Sequence, residues 1–361
     1  MSKTASEALD KIERVRQHRR NKFYLRDDHI TLSHGSGGKA THNLIEGIFA
    51  PAFSNPLLDA MDDAASFAVN AGRLAFTTDT FVVNPLFFPG GDIGKLAVHG
   101  TVNDLAVSGA EPLYLSAGFI LEEGFPIDDL RLIVNSMAEA AAEAGVSIVT
   151  GDTKVVERGK ADGLFINTAG VGVMKADWQI GQLQARPGDK ILISGTLGDH
   201  GIAIMLAREA LDIETDTLSD TAPLNSLVAS LIEAAGDGIH CLKDPTRGGL
   251  ATSLNEIAIA SEVGIALDER LIPVRSDVRG ACEILGLDPL TIANEGKLLA
   301  VVSPESARLV LETMRAHPLG QEAALIGEVR AEPPAMVFLR TELGGTRVLD
   351  MLVGDPLPRI C

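Results

Sequence analysis

The sequence predicts two domains, each a mixture of α-helices and β-strands. A length of 361 residues favours two domains over one, because single hydrophobic cores seldom grow beyond about 250–300 residues. Apolar strand patterns alternate with helical patterns along most of the chain, which is typical of α/β and α+β folds. The turn sequence RPGD at Arg186–Asp189 separates two such series and indicates a change of domain.

These patterns divide the chain into an N-terminal extension at 1–28, a first domain at 29–180, a second domain at 181–343 and a tail at 344–361. The extension is a charge-rich helical run, which is typical of a solvated helix or of an arm that contacts an acidic partner. The predicted elements are strand 74–78, helix 94–108, strand 113–121, helix 127–144, a short buried strand 146–150, strand 165–173, strand 190–194, helices 201–208, 221–235 and 250–261, strand 298–302 and helix 305–315.

Composition excludes several functional classes. The formal net charge of -18 argues against a broad nucleic-acid surface, which needs a basic face. No apolar run approaches the length of a membrane span, and the charged first thirty residues lack the apolar core of a signal peptide. Three cysteines without CxxC spacing predict neither a disulfide framework nor a zinc ribbon, so we expect a cytoplasmic protein.

A glycine-rich segment, SHGSGGK at 33–39, precedes a helical pattern. Main-chain N–H groups of Gly35, Ser36, Gly37 and Gly38 could approach phosphate oxygens there, and a helix start favours anions. The spacing is neither that of a Walker A loop nor GxGxxG. A plain turn before a helix is the alternative interpretation.

Aspartates lie at the ends of several apolar segments, where carboxylates from neighbouring strands can meet at one rim of a sheet. They are Asp63, Asp79, Asp104 and Asp152. Mg²⁺ prefers such hard oxygen ligands and is often coordinated by protein carboxylates and substrate phosphates together. Each aspartate alone is also compatible with a turn or a helix cap. Asp104 is the least compatible, because it lies within an apolar helical pattern where an unpaired carboxylate is costly.

Three short polar motifs add candidate groups. In GDTK at 151–154, Lys154 directly follows Asp152 and Thr153, so it could contact phosphate or orient a carbonyl. In DPTRGG at 244–249, Asp244 could contact a metal ion and the arginine a phosphate. In NEGK at 294–297, Glu295 could act as a general base if it is buried near the reacting group. A surface lysine, a capped turn and a polar hairpin turn are the respective alternatives.

The last residue, Cys361, follows two prolines that favour an extended tail. A terminal thiol on such a tail is sterically open, and thiolates are good nucleophiles. An accidental tail residue is the alternative. Cys241 and Cys282 lie in apolar surroundings and are expected to be small core residues.

Together these motifs resemble the HypE family of hydrogenase maturation factors, within the PurM-like ATP-binding superfamily. The aspartate motifs mark the superfamily, and the final PRIC marks the family within it. The resemblance covers about residue 30 to Cys361 and is carried by HGSGGKA at 34–40, FTTDTFVVNPLFFPGGDIGKLA at 76–97, NDLAVSGAEP at 103–112, VTGDTKVV at 149–156, SGTLGDHG at 194–201, DPTRGG at 244–249, NEGK at 294–297 and PRIC at 358–361.

The resemblance implies a two-domain PurM-like (AIR-synthetase-like) α+β/α/β architecture with a flexible C-terminal tail, and a homodimer. It implies that ATP and Mg²⁺ are used to dehydrate an S-carbamoyl group on Cys361 to a thiocyanate. The metal would be held by Asp63, Asp79, Asp104 and Asp244. Asp63, Asp79 and Asp104 would also hold ATP, with Asn103, Asp152, Thr153 and the loop Gly35–Gly38. Glu295 is then the candidate base, and Lys154 would orient or polarise the thiocarbamate.

The resemblance also implies partners. A HypF-type carbamoyltransferase would load Cys361, and a HypC–HypD complex carrying iron would receive the cyano group for a [NiFe]-hydrogenase. Two alternatives stay open from sequence. One is a nucleotide-gated adaptor that docks partners through its tail without dehydration chemistry. The other is a PurM-like enzyme of selenophosphate synthesis or purine cyclisation. Selenophosphate synthases carry a reactive Cys or Sec near the glycine-rich segment, where this chain has His34.

Overall fold

The structure, a computed structural model, describes residues 37–49, 61–63, 65–69, 72–174, 179–208, 216–354 and 359–361. The predicted extension at 1–28 lies outside the described residues, as do Gly35 and Ser36 of the glycine-rich segment. Among the helices within those ranges, none is long and apolar enough to cross a membrane.

Eight α-helices lie in the described part of the chain, and the first runs into a π-helical turn at Ile45–Phe49. They are α1 (Lys39–Leu44), α2 (Ile93–Val107), α3 (Ile127–Ala144), α4 (Asp199–Ala207), α5 (Asn225–Ala235), α6 (Gly249–Ala260), α7 (Ser276–Leu285) and α8 (Ala307–Ala316). Short 3-10 turns lie at Gln182–Gln184, Gly236–Gly238, Glu269–Leu271, Pro289–Thr291 and Pro318–Gly320.

Fourteen strands within the same ranges form three sheets. They are β1 (Ala65–Val69), β2 (Gly72–Phe81), β3 (Phe87–Phe88), β4 (Gly91–Asp92), β5 (Ala110–Glu122), β6 (Ser147–Val156), β7 (Leu164–Met174), β8 (Lys190–Ile193), β9 (Ile239–Lys243), β10 (Gly264–Asp268), β11 (Leu299–Val302), β12 (Ala324–Arg330), β13 (Met336–Arg340) and β14 (Thr346–Leu349). The strand orders are β1-β2-β7-β5-β6, then β14-β13-β10-β12-β8-β11-β9, and a β3-β4 ribbon.

Helix α2 packs closely on one face of the five-stranded sheet. Asp92 caps its start by accepting two main-chain N–H hydrogen bonds, at 2.7 and 3.1 Å. Gly170 on β7 permits the close approach, because a Cβ there would lie 2.8 Å from the side chains of Thr101 and Leu105. This packing places Asp104, near the helix end, beside β2.

The seven-stranded sheet is covered on both faces. Along β11, Leu299 and Val301 join one hydrophobic cluster with α6, whereas Ala300 and Val302 join another with α5 and α8. Alternate residues of a strand point to opposite faces, so this central strand is buried on both sides. The neighbouring strand β9 ends at Lys243 and delivers Asp244 to the edge of the sheet that faces α2.

Each predicted helix or strand corresponds to an element of the same type in the structure, and two expectations need correction. The predicted helix 127–144 agrees with α3 at both ends. The predicted short buried strand 146–150 is wrong, because β6 runs for ten residues and is exposed at nine of them. Its apolar residues suggested burial, but β6 is the edge strand of its sheet. Asp79 was expected after the end of a strand and lies instead inside β2.

The last three residues are docked against the fold. The N–H of Val82 donates to the carbonyl oxygen of Cys361 at 3.0 Å, and that of Asn84 donates to the carbonyl of Arg359 at 3.2 Å. The side chain of Ile360 is buried in the hydrophobic core around α2. The structure therefore describes a docked state of residues 359–361, and the mobility of the tail stays a prediction.

Candidate active site

Four predicted metal ligands, Asp63, Asp79, Asp104 and Asp244, lie near one another between the two large sheets. Thr77 on β2 links two of them, because its Oγ1 lies 2.9 Å from Oδ2 of Asp104 and 3.0 Å from the main-chain carbonyl oxygen of Asp63. Asp79 lies on β2, Asp104 on α2 and Asp244 directly after β9. Asp63 precedes β1 and pairs with Lys243, the last residue of β9.

Burial raises the pKa values of Asp79, Asp104 and Asp244, and the charges of neighbouring carboxylates add to the rise at Asp104 and Asp244. The pKa of Asp104 lies well above its ordinary value through burial, followed by the charges of Asp244, Asp79 and Asp63. The pKa of Asp244 is raised to about 7 by burial and by the charge of Asp63. Like charges in a poorly solvated site repel one another, so this cluster favours a bound cation.

The carboxylates form an open arrangement. Among the residues that the structure describes, no three His, Cys, Asp or Glu side chains converge as a preformed metal site. Mg²⁺ is usually held by one or two carboxylates and completes its shell with water and substrate phosphate. The hard oxygen donors and their mutual repulsion fit that ion, with the remaining ligands supplied from outside the protein.

A buried lysine balances part of this negative charge. Lys243 forms ion pairs with Asp63 and, at 3.1 Å, with Glu256. Glu256 also accepts a hydrogen bond from the ring of His42 at 3.0 Å. Burial lowers the pKa of Lys243, but the two carboxylates outweigh burial and hold that pKa well above its usual range. Lys243 therefore stays charged beside the aspartates.

Cys361 reaches the same site from the other side. Its thiol hydrogen-bonds to the carboxyl group of Glu295, and burial is the main cause that raises the pKa of this thiol. Glu295 is 3% exposed, and its Oε1 has no hydrogen-bond partner among the described residues. Burial, with the charges of Asp244 and Asp79, raises the pKa of Glu295 well above normal. The predicted nucleophile and the predicted base are therefore in contact.

Arg247 lies between the glycine-rich segment and the carboxylates. Its guanidinium is 3.8 Å from Oδ1 of Asp79, and its charge also acts on Cys361. Gly37 has a φ of +74°, and a Cβ at that position would lie 2.8 Å from the carbonyl oxygen of Arg247. Only glycine tolerates both conditions, so the segment can lie directly against the arginine.

A cavity of about 490 Å³ opens between α1, α6 and the end of β9. Its volume lies within the range of about 300–1,000 Å³ that is usual for small-molecule sites. Predicted and newly found residues line it together, among them Gly37, Asp63, Asp244, Arg247, Lys243 and Glu256.

Asn103 has a different position from the one expected of a nucleotide ligand. It is 1% exposed, and its amide nitrogen donates to the carbonyl oxygens of Ala222 at 3.1 Å and Glu295 at 3.3 Å. Its Oδ1 accepts the N–H of Leu224 at 2.7 Å. Both N–H groups of the amide are thus engaged inside the protein. Asn103 positions the main chain of Glu295 and offers no free N–H group to a nucleotide.

Asp152, Thr153 and Lys154 do not join the cluster in this chain. They lie on the exposed edge strand β6, where Lys154 pairs with Asp152 at 3.1 Å. Strands β7 and β5 separate β6 from β2, which carries Asp79. At about 4.8 Å per strand, these side chains start roughly 14 Å from that aspartate.

The sequence patterns did not identify Lys243, Glu256 and His42. They also did not identify His200 and Arg208, which contact the main-chain carbonyl oxygens of Ile360 and Arg359. Lys243 directly precedes the DPTRGG motif, and His200 lies inside SGTLGDHG, so both had a visible signal in their neighbours. Glu256 and His42 are far apart in sequence, and only the packing of α1 against α6 brings them together.

Comparison with known proteins shows which family the chain belongs to. Residues 61–174 match the model of the AIR synthase related protein N-terminal domain, and residues 186–339 match that of the C-terminal domain. The carbamoyl dehydratase HypE of Bradyrhizobium diazoefficiens is 58% identical over 340 residues, which cover 94% of this chain and 98% of that protein.

Solved structures give the same relationship. A HypE–HypF complex contains a chain that is 52% identical, with a TM-score of 0.82 over 86% of this chain and 99% of that one. A hydrogenase maturation protein HypE in complex with ATP is 51% identical, with a TM-score of 0.78 over 92% and 100%. The predicted two-domain PurM-like fold is confirmed. The chain therefore belongs to the HypE family of carbamoyl dehydratases, within the AIR synthase related proteins.

Proposed function

We propose that this protein uses ATP to dehydrate a carbamoyl group carried on the sulfur of Cys361, giving a thiocyanate. One observation carries the proposal: the sulfur of the last residue is hydrogen-bonded to the buried carboxyl group of Glu295, beside the carboxylate cluster. A terminal cysteine with only a structural role would have no reason to be placed against a partly unpaired carboxyl group.

The chemistry requires removal of an oxygen atom that is a poor leaving group as hydroxide or oxide. The oxygen of S–CO–NH₂ attacks the γ-phosphorus of ATP, and the bond from that phosphorus to the bridging oxygen of ADP breaks. One N–H proton leaves, which gives S–C(OPO₃²⁻)=NH and ADP. The second N–H proton then leaves while the C–O bond breaks, which gives S–C≡N and phosphate. Such phosphoryl transfer depends on positioning and on neutralised charge.

Glu295 is the candidate acceptor for these protons. Its raised pKa makes its carboxylate a stronger base than an exposed glutamate, and efficient general bases have pKa values near the working pH. Its contact with the Cys361 thiol places it next to the group that the sulfur carries. The amide of Asn103 holds the main chain of Glu295 and fixes its position.

We place the nucleotide in the cavity between α1, α6 and the end of β9. Gly38 would present its main-chain N–H group to phosphate, and Arg247 would contact the transferred phosphoryl group. The N–H of Gly37 is donated to Oγ1 of Thr41 at 2.9 Å, so Gly37 contributes the close approach of the segment to Arg247. Mg²⁺ held by Asp63, Asp79, Asp104 and Asp244 would neutralise phosphate charge there. The raised pKa values of Asp104 and Asp244 support this assignment, because burial and the neighbouring carboxylates raise the pKa of Asp244 by more than the charge of Lys243 lowers it.

A homodimer would explain the position of β6. This edge strand exposes Val149 and Val155, and the adjoining open face of the sheet exposes Phe76 and Tyr114. We propose that a second copy of the chain covers this surface and brings Lys154 towards a neighbouring ATP site, with Asp152 and Thr153. Tyr114→Lys is expected to yield monomers in sedimentation velocity, whereas Leu343→Lys, at a fully exposed residue, should leave the assembly unchanged.

The partners follow from the chemistry of the tail. A HypF-type carbamoyltransferase would load the thiol, as the solved HypE–HypF complex suggests. A HypC–HypD complex would then accept the cyano group for the iron of a [NiFe]-hydrogenase. Three free cysteines and the use of ATP support a cytoplasmic location, which is part of this proposal.

Mass spectrometry of the C-terminal peptide tests the proposal. After incubation with the carbamoyltransferase, carbamoyl phosphate and ATP, the peptide should carry a carbamoyl group that has lost one water. Cys361→Ala should abolish this product and retain ATP binding, whereas Cys282→Ala, at a buried core cysteine, should retain both. A carbamoyl adduct that persists with ATP would instead favour a nucleotide-gated adaptor.

A further inference from the structure

A buried histidine, to which the sequence motifs assigned no role, binds the docked tail. His200 lies near the start of α4 and is fully buried. Its Nε2 is 2.8 Å from the carbonyl oxygen of Ile360, the residue directly before Cys361. A carbonyl oxygen can only accept, so Nε2 must carry the proton and donate it.

The other ring nitrogen fixes this tautomer. Nδ1 of His200 lies 2.8 Å from Oγ of Ser219, and burial lowers the pKa of His200, which keeps the ring neutral. With the proton on Nε2, Nδ1 accepts from the hydroxyl of Ser219. That hydroxyl oxygen in turn accepts the N–H of Thr221 at 3.2 Å. Each proton in this chain of hydrogen bonds therefore has one position.

The two residues are themselves held rigidly. The N–H of Ser219 donates to the carbonyl of Pro89 at 2.8 Å, which ties the segment to the turn between β3 and β4. Gly90 in that turn permits the contact, since a Cβ there would lie 2.7 Å from the nitrogen of Ser219. The ring edge of Phe88 packs against His200 with centroids 5.7 Å apart. The ring of His200 therefore cannot turn away from the tail without disturbing this packing.

Other contacts also bind the main chain of the tail. Arg208 donates to the carbonyl oxygens of Arg359 at 2.6 Å and Asn84 at 2.7 Å. Val82 donates to the carbonyl of Cys361 at 3.0 Å. These main-chain contacts fix the position of residues 359–361 along the fold, and with it the place of the Cys361 side chain.

We propose that His200, set by Ser219, is a positioning residue that holds the sulfur of Cys361 against Glu295 by capturing the carbonyl of Ile360. The proposal rests on the proposed dehydration, because the sulfur must return to Glu295 with its cargo. His200 acts through the main chain of the tail, so it can hold Cys361 whether the sulfur is free or loaded. It touches no reacting atom and has no part in loading.

Alkylation of Cys361 in the full-length protein measures docking without any nucleotide or carbamoyl chemistry. His200→Leu removes the N–H donor and should speed the reaction of Cys361 with iodoacetamide about 3- to 10-fold, as expected for one net hydrogen bond. His200→Gln keeps an N–H group and should stay nearer the wild-type rate. His317→Leu is the matched control, because His317 bonds to Ser226 at 3.2 Å without contacting the tail.

Single-turnover dehydration of the preloaded carbamoyl protein supplies a second measurement. His200→Leu should slow dehydration by a similar factor and leave the rate of carbamoylation unreduced. If Cys361 of His200→Leu is alkylated at the wild-type rate, His200 has no role in docking and the proposal is overturned. If alkylation of Cys241 and Cys282 is accelerated equally, the substitution loosens the whole fold and the proposal is also overturned. If the wild-type protein never dehydrates but alkylation responds as expected, the proposed function fails while the role of His200 in docking stands.

Discussion

Replacing Ile360 with alanine is expected to release the tail from its docking site. Ile360 is 5% exposed and packs in the hydrophobic core around α2. The change removes three carbon atoms from this contact, at about 0.8 kcal/mol for each buried methylene, or about 2.4 kcal/mol in total. Since each 1.4 kcal/mol is about a tenfold change, the docking constant should fall about 50-fold.

The assay is the rate at which iodoacetamide modifies Cys361, followed by mass spectrometry of the C-terminal peptide. When docking is fast compared with alkylation, this rate reports the undocked fraction, so it should rise by up to the same factor. Val353→Ala is the matched control, because Val353 is 73% exposed and its truncation removes little buried surface. Equal rates for Ile360→Ala and the wild-type protein would refute the docking described for residues 359–361.

Three further predictions concern the carboxyl groups. Glu295→Gln should slow single-turnover dehydration about 10²- to 10⁴-fold, as expected for loss of a general base, and the carbamoyl peptide should accumulate with ATP binding retained. Asp104→Asn removes one of four neighbouring like charges, so the free energy of unfolding, measured with urea, should rise by about 1 kcal/mol. The Mg²⁺-dependent activity should fall. A lower free energy of unfolding would contradict the repulsion between these carboxylates. Although burial opposes it, Lys243 lowers the pKa of Glu256 to about 2 from 4.5. This stabilisation is complete above pH 4.5 and lost as the pH falls through about 2. Urea midpoints should therefore fall with acid less steeply in Glu256→Gln than in the wild-type protein.

The sequence predicted the carboxylate cluster because its logic is local. Asp63 adjoins an apolar segment and Asp104 interrupts an apolar helix, so their neighbours alone draw attention to them, whereas the family resemblance joined Asp244 to the set. Their convergence depends on α2 packing against β2, which the apolar pattern of the helix also indicates. The contact between Glu295 and Cys361 was expected from the family resemblance rather than from the pattern of either segment.

The missed contacts depend mainly on tertiary structure. Lys243 adjoins the DPTRGG motif, but only the fold brings Asp63 and Glu256 to its ammonium group. The apolar residues of β6 suggested a buried strand because periodicity cannot distinguish burial in a core from exposure at an open edge. Asn103 was expected to face a nucleotide, whereas the loop before α5 and the NEGK segment take up its amide.

The fate of the carbamoyl oxygen tests the central claim most directly. Cys361 would be loaded from carbamoyl phosphate that carries heavy oxygen in its carbonyl group, and the protein would then be given ATP and Mg²⁺. If the oxygen leaves by phosphorylation, the label appears in the inorganic phosphate in a ratio of one label to each thiocyanate formed. Label released into water, with unlabelled phosphate, would contradict the account.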